Sequence, residues 1–192
     1  MDAYKEIFLM QQTYATLFAI ANKIQMKGDK YLEKLTSRQN MAMIAVAHLK
    51  EDERTINNVA AKLGTTKQSA KQLIAILEAK GYLITTPSQR DKRAVNLKIT
   101  EPGQQAMVEC AEKGLYFFAD LFREFSGEEM EKLWRMLKKL YRFDGHEQDD
   151  FEEEVALELT AEQYEIQREA LEEFERRRNS PGKGKRGMCD EK

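Results

Sequence analysis

The chain has 192 residues, of which 42% are hydrophobic and 33% are charged, and its formal net charge is −2. This composition supports one compact domain with an appendage. The two cysteines, Cys110 and Cys189, lie far apart in sequence and make no disulfide framework, so reduced intracellular thiols are expected. The N-terminal segment lacks the features of a secretory signal, and the longest charge-free run, residues 7–22, is too short and polar to span a bilayer. We therefore expect a cytoplasmic protein without membrane contact.

The charges are unevenly distributed along the chain. Residues 54–93 hold eight Lys or Arg against two acidic residues, a net charge of +6. Residues 144–178 hold fourteen acidic residues against four Arg, a net charge of −10. This division predicts a basic working surface and an acidic appendage.

The first predicted element is a helix over residues 3–27, since no proline or glycine interrupts the chain before Gly28. Its apolar side chains near helical spacing are Tyr4, Ile7, Phe8, Tyr14, Leu17, Phe18, Ala21 and Ile24. A single small domain can hardly bury so long a face, so part of it is expected to meet a second copy of the chain.

Three helices and a hairpin are predicted next. A helix capped by Thr36 or Ser37 is followed by a short helix at 57–63, which closes at Gly64, and by a helix at 66–80, which ends at Gly81. The β-branched runs YLITTP and AVNLKIT then flank a basic loop and predict a hairpin with a half-buried face.

The rest of the chain is predicted to be mostly helical. Two helices cover 102–125 and 127–143, the first with Pro102 at its N1 position. After an acidic stretch, a capping box at Thr160–Gln163 predicts a last helix to about residue 178. The fold class is therefore mostly α with a small β-hairpin wing. The predicted regions are an N-terminal dimerisation helix (1–35), a winged helix-turn-helix lobe (36–101), C-terminal dimerisation helices (102–143), an acidic helical extension (144–178) and a disordered tail (179–192).

A short helix, a glycine turn, a second helix and a hairpin in this order form a winged helix-turn-helix pattern. In the second helix, Ala70, Leu73, Ile74 and Leu77 share one face, so the polar side chains near its N-terminal end point elsewhere. Helix N-termini attract phosphates, Gln pairs with adenine edges, and Lys pairs with guanine or phosphate. Exposed Lys and Gln are common on any helix, but the order of elements favours duplex DNA as the partner. The predicted contacts are Thr66, Lys67, Gln68, Ser69, Lys71 and Gln72.

The basic loop of the hairpin has a matching interpretation. Arg90, Lys92 and Arg93 can reach a minor groove beside the recognition helix, since narrow A·T segments favour inserted Arg. Asp91 is expected to pair with Arg93 or another cation and to orient the loop.

Asp91-Lys92-Arg93 followed by Ile99-Thr100-Glu101-Pro102-Gly103 resembles the D-x-R-x-x-x-x-x-[LI]-T-x-x-G wing signature of the multiple-antibiotic-resistance regulator (MarR) family. The resemblance implies a homodimer with dimerisation helices near both ends of the domain. It also implies a pseudo-palindromic operator and, for many members, repression relieved by a small aromatic ligand. The long acidic ending departs from the family, and the first helix lacks the cysteine of the oxidation-sensing members, which argues against a thiol switch.

The other candidate sites in the sequence are a ligand-binding site and a metal site. Tyr14, Phe18, Met41 and His48 are the predicted ligand-binding residues, although aromatic and Met residues at helical spacing are more often core. Two histidines without neighbouring ligands make no metal site, and no cofactor or catalytic set is predicted. The alternative function is a winged-helix protein-interaction module that acts through its acidic C-terminal extension.

Overall fold

The computed structural model describes residues 2–87, 95–145, 151 and 160–180. The helices are α1 (Ala3–Gly28), α2 (Ser37–His48), α3 (Ile56–Lys62), α4 (Lys67–Ala79), α5 (Glu101–Leu121), α6 (Gly127–Tyr141) and α7 (Ala161–Asn179). The strands β1 (Leu83–Pro87) and β2 (Val95–Ile99) form one antiparallel hairpin, in which Leu83 pairs with Ile99 and Pro87 with Val95. Two short 3-10 helices cover Glu51–Glu53 and Arg142–Asp144. The predicted fold class is confirmed.

Local side-chain caps define most helix starts. The Thr36 hydroxyl accepts from the backbone N–H of Gln39, and the Gln39 side chain accepts from the Thr36 N–H, so both free donors are satisfied. The same reciprocal box begins α6 at Ser126 and α7 at Thr160. The caps predicted at Thr36 and Thr160 are therefore confirmed.

The prediction for α5 is wrong at its C-terminal end, because the helix stops at Leu121 rather than at Phe125. The Phe125 N–H donates to the Phe122 carbonyl at 3.0 Å, an i to i+3 bond that closes a tight turn. Ser126 is then extended because its side chain caps α6, so the two helices cannot be continuous.

The chain divides into two compact units, and the division falls inside α5, between residues 111 and 112. In the first unit, α2, α3, α4 and the hairpin pack against one another around a closed core. The largest fully buried side chains of this core are Leu35, Met43, Val46, Val59, Ile74, Leu77, Leu83 and Leu97. Burial of this apolar surface is the main term that stabilises the unit.

The second unit contains the end of α5, then α6 and α7. The Arg177 guanidinium lies 4.6 Å from the centre of the Tyr116 ring and pairs with Asp120 at 3.3 Å. Arg178 donates to the Phe122 carbonyl, and also to the Phe125 carbonyl at 2.7 Å. Both carbonyls lie in the segment between α5 and α6, so Arg178 connects the C-terminal end of α7 to that segment. In the part of the chain that the structure describes, no helix has the length and hydropathy needed to cross a bilayer.

Candidate nucleic-acid interface

Helices α3 and α4 are joined by a four-residue turn whose geometry follows from its residues. Gly64 has φ +59°, the left-handed conformation that glycine adopts without steric cost. Thr66 is the N-cap of α4, and its hydroxyl accepts from the Ser69 backbone N–H at 3.1 Å. The turn therefore fixes where α4 begins, which is the end that carries the candidate DNA-binding residues.

The two faces of α4 have opposite chemistry. Ala70, Ile74 and Leu77 are at most 1% exposed and belong to the core. Of the six DNA contacts predicted around α4, the Lys and Gln side chains are all exposed: Lys67, Gln68, Lys71 and Gln72. A helix held on one side by its apolar residues thus presents donors, acceptors and positive charge on the other side.

Thr66 and Ser69 are placed differently from the other predicted contacts. Besides capping the helix, the Thr66 hydroxyl donates to the Ser69 hydroxyl at 3.0 Å, and Ser69 is half-buried. Their first role is to hold the N-terminal turn of α4, whose remaining N–H groups are suited to a phosphate oxygen.

The basic surface is smaller than the charge count suggested. Lys62 is buried, and Arg54 is half-buried with its Nε donating to the Leu49 carbonyl at 3.0 Å. The Lys80 ammonium is engaged by two acceptors, the Lys34 carbonyl and the Gln39 side chain. Lys67 and Lys71 are therefore the cations that α4 offers to a polyanion.

The base of the wing is anchored by bonds from β2 to residues 51–54, the segment before α3. The Leu97 N–H donates to the Arg54 carbonyl at 2.8 Å, and the Asn96 side-chain amide donates to the Glu51 carbonyl at 3.2 Å. Leu97 is 1% exposed whereas Val95 is 42% exposed, so the predicted half-buried face exists only at the base of the strand. The predicted wing residues Arg90, Asp91, Lys92 and Arg93 lie outside the described residues.

Thr100 and Gly103, which the sequence placed only within the wing signature, fix the end of the wing against the neighbouring helices. The Thr100 hydroxyl donates to the Gly81 carbonyl at 2.6 Å and accepts from the Gly103 N–H at 3.1 Å. A Cβ at Gly103 would lie 2.2 Å from the Tyr82 carbonyl oxygen, so only glycine allows α5 to start this close to the α4–β1 turn. The T-x-x-G spacing therefore joins the wing, α4 and α5.

Three of the predicted ligand-binding residues are exposed in the single chain, and the fourth is half-buried. Tyr14, Phe18 and Met41 are 66%, 60% and 40% exposed, and His48 is half-buried on α2. The Tyr14 and Phe18 rings are tilted neighbours with centroids 5.0 Å apart. Their role in ligand binding stays a prediction.

Cys110 is buried in α5, and burial raises the pKa of its thiol. A raised pKa keeps the thiol protonated and lowers its reactivity, because the thiolate is the nucleophile. The buried Cys110 therefore fits a structural role rather than a reactive one.

The comparisons with known proteins agree with this geometry. The sequence profile of the MarR family matches residues 35–94, from the start of α2 to the wing. No curated protein sequence is a significant match to the chain.

Several solved structures share the fold. The S. aureus MepR–DNA complex is 24% identical to this chain, with a TM-score of 0.60 over 67% of this chain and 96% of MepR. A mutant MarR from E. coli complexed with operator DNA is 21% identical, with a TM-score of 0.60 over 73% of this chain and 99% of MarR. The organohalide sensing RdhR regulator in its 2,4-dichlorophenol bound form is 17% identical, with a TM-score of 0.64 over 74% of this chain and 85% of RdhR.

At these identities the structural likeness establishes the fold, and the sequence profile adds a likeness that is limited to residues 35–94, from the start of α2 to the residue before β2. Within residues 35–94 the chain is therefore similar to the MarR family, and over most of its length it has the fold of these solved winged helix proteins.

Proposed function

We propose that this protein is a cytoplasmic, sequence-specific DNA-binding regulator that acts as a homodimeric repressor and releases DNA when a small molecule binds. The observation that carries the proposal is the division of α4 into an apolar face, buried at Ala70, Ile74 and Leu77, and an exposed face of Lys and Gln. The family relatives MepR and MarR have been solved in complex with DNA, MarR with operator DNA, which supports the same partner here. The activity is binding, and no catalytic step is assigned.

Recognition would divide between the helix and the wing. Gln68 and Gln72 lie on the exposed face of α4, where the amide can accept and donate to an adenine edge in the major groove. Lys67 and Lys71 provide charge for phosphates or guanine acceptors. The wing cations Arg90, Lys92 and Arg93 would add contacts in the neighbouring minor groove.

Exposed apolar side chains support the homodimer. Nine large hydrophobic residues of α1 are at least 45% exposed: Tyr4, Ile7, Phe8, Leu9, Met10, Tyr14, Phe18, Ile20 and Met26. On α6, Trp134, Leu137 and Leu140 are also exposed. Surfaces of this kind mark a protein interface, and a second copy would place two recognition helices on a pseudo-palindromic operator.

Two observations support the release of DNA by a small-molecule ligand. RdhR has been solved with bound 2,4-dichlorophenol, an aromatic ligand. The adjacent Tyr14 and Phe18 rings offer apolar surface to a similar compound once a partner protomer covers them. Repression is proposed because blocking a promoter requires only tight binding.

The first experiment is fluorescence anisotropy of the protein on duplex from its own upstream region, against scrambled duplex, over a salt series. Tight, site-preferring binding with a steep salt dependence is expected. Gln68→Ala or Gln72→Ala should lose about 1–3 kcal/mol of preference for the site, while Arg93→Ala should weaken binding to both duplexes and reduce the salt slope by about 1.

Weak and sequence-blind binding would contradict the proposal and favour a protein-interaction module. The acidic α7 would then be the surface to study, because Tyr164 and Leu171 are exposed on a helix rich in Glu. Unchanged DNA affinity in both Gln variants and in Arg93→Ala would exclude the assigned interface.

A further inference from the structure

The connection between α1 and α2 is tied to both α4 and α5. Residues Lys34, Leu35 and Thr36, called here the junction, lie directly before α2 in the first unit. Leu35 is buried, and polar groups from two helices contact the backbone and side chains on either side of it.

The tie to α4 comes from its C-terminal residue. Lys80 is the C-cap of α4, and its ammonium donates to the Lys34 carbonyl at 2.8 Å and to the Gln39 side-chain oxygen at 3.0 Å. Gln39 is buried, and the same oxygen accepts from the Thr36 N–H at 3.2 Å. The end of α4 is thus bonded to the residues that form the capping box of α2.

The tie to α5 comes from the side chain of Lys34. Its ammonium lies 2.7 Å and 2.8 Å from the two carboxylate oxygens of Glu109, and Gln105 donates to the same carboxylate at 3.2 Å. The next residue, Cys110, is buried and forms a hydrogen bond with the Leu35 backbone. Lys34 therefore connects the end of α4, through its carbonyl, to α5, through its side chain.

We propose that Lys80 is a positioning residue for DNA recognition, which sets the direction of α4 by fixing its C-terminal end to the junction. This inference rests on the proposed function. The apolar face of α4 fixes its depth in the core, but apolar contacts are not directional. Charge-assisted hydrogen bonds are directional, so the two bonds of Lys80 determine the orientation of the helix.

The length of α4 determines how far a change at Lys80 displaces the other end of the helix. Thirteen residues separate Lys67 from Lys80 along α4, which is about 20 Å at 1.5 Å per residue. A small displacement at Lys80 therefore moves the Lys67 and Gln68 side chains relative to the groove. Lys80 lies at the opposite end of the helix from these contacts, so its effect on DNA is expected to be indirect.

The test compares Lys80→Met with Lys30→Met on the operator duplex and on scrambled duplex over a salt series. Lys30 is an exposed residue just after α1, and its loss removes the same charge without touching the junction. Lys80→Met should lower operator affinity by about 10-fold, the loss of roughly one well-placed base contact, with an unchanged salt slope. Lys30→Met should bind both duplexes like the wild type, and Lys80→Arg should recover part of the loss because its guanidinium keeps both donors.

Two DNA-binding results would overturn the proposal. One is operator affinity in Lys80→Met equal to that of Lys30→Met. The other is an equal loss on both duplexes with a flatter salt slope, which would mean that Lys80 contacts phosphate directly. Hydrogen exchange of the free proteins tests the positioning role of Lys80 without DNA, and so independently of the proposed DNA-binding function.

If the wild type binds no duplex, the proposed DNA-binding function fails. Faster exchange at the C-terminal end of α4 in Lys80→Met alone would still support the positioning role, and equal exchange in both variants would refute it.

Discussion

Helices α4 and α6 are both amphipathic, but the apolar face is buried in α4 and exposed in α6. In α4, Ala70, Ile74 and Leu77 are buried by α2, α3 and the hairpin within the same chain. In α6, none of the fifteen residues is buried, and Trp134, Leu137 and Leu140 are exposed. The same type of sequence pattern therefore completes a core in one place and leaves an open surface in the other.

The difference indicates what each helix contributes. A helix whose apolar face is fully covered can be held rigidly, which suits a surface that reads base edges. A helix whose apolar face is open gains stability only when another surface covers it. Substitution of these apolar residues should therefore lower the free energy of unfolding when it is made in α4. In α6 it should weaken the association of two copies of the chain.

The largest effect is expected in the α4 core. Ile74 is 1% exposed and Ile76 is 44% exposed, so the same substitution in one helix removes either a buried or a half-solvated side chain. Ile74→Ala should lower the free energy of unfolding by about 2–5 kcal/mol, and Ile76→Ala by less than about 1 kcal/mol. Urea denaturation of both variants measures this, and equal losses would mean that α4 does not pack as described.

The second effect concerns association through α6. Leu137→Glu places a charge on the exposed apolar face and should raise the dimer dissociation constant by about 100-fold, or about 3 kcal/mol. Lys139→Glu is the control, because Lys139 is exposed and lies two residues along α6 from Leu137, on roughly the opposite side of the helix. Sedimentation equilibrium of each variant gives the constant. A wild type that is monomeric at all concentrations, or a Leu137→Glu variant that dimerises normally, would remove α6 from the interface.

A smaller effect is expected where α7 meets the end of α5. Arg178→Ala removes the guanidinium donor from both carbonyls, although Phe122 keeps its bond from the Phe125 N–H, and should destabilise the second unit by about 1 kcal/mol. Arg176→Ala should cost less than about 0.5 kcal/mol, since its side chain is 76% exposed and pairs with Glu173 in the same helix. Hydrogen exchange of the α5 and α7 amides distinguishes the two. Identical exchange would show that Arg178 does not hold the helices together.

The smallest effect is the pH dependence of the α6 cap. Hydrogen bonds from the Ser126 backbone and hydroxyl lower the pKa of Glu129. A lowered pKa means that this stabilisation is fully present above pH about 4.5 and is lost as the pH falls through the folded-state pKa. Glu129→Gln should therefore be less stable than the wild type near neutral pH and should approach it in acid. The control, Glu128→Gln, removes a charge from the same turn and leaves the cap intact. A stability difference for Glu129→Gln that does not change with pH would contradict this cause.

Much of the lobe could be predicted because its signals are local. Thr36, Thr160 and Gly81 act on residues within one turn of themselves, so their sequence neighbours are sufficient to place the helix ends. The exposed face of α4 follows from the 3.6-residue period of its own apolar positions. The wing signature also pointed to the family that residues 35–94 match.

The sequence by itself determined the order of elements, the helix caps and the polar face of the recognition helix, since each depends on short-range spacing. Only the tertiary structure decided that Leu97 is buried while Val95 is exposed and that Lys62 lies inside rather than on the basic surface. It also decided that Lys80 bonds to residues 41 and 46 positions away and that Arg178 bonds to carbonyls more than fifty residues earlier. The physical reason is that the helix and rotamer preferences of a Lys or Arg side chain do not depend on which distant acceptor it bonds. Its partner is selected by how the helices pack, which no short-range pattern encodes.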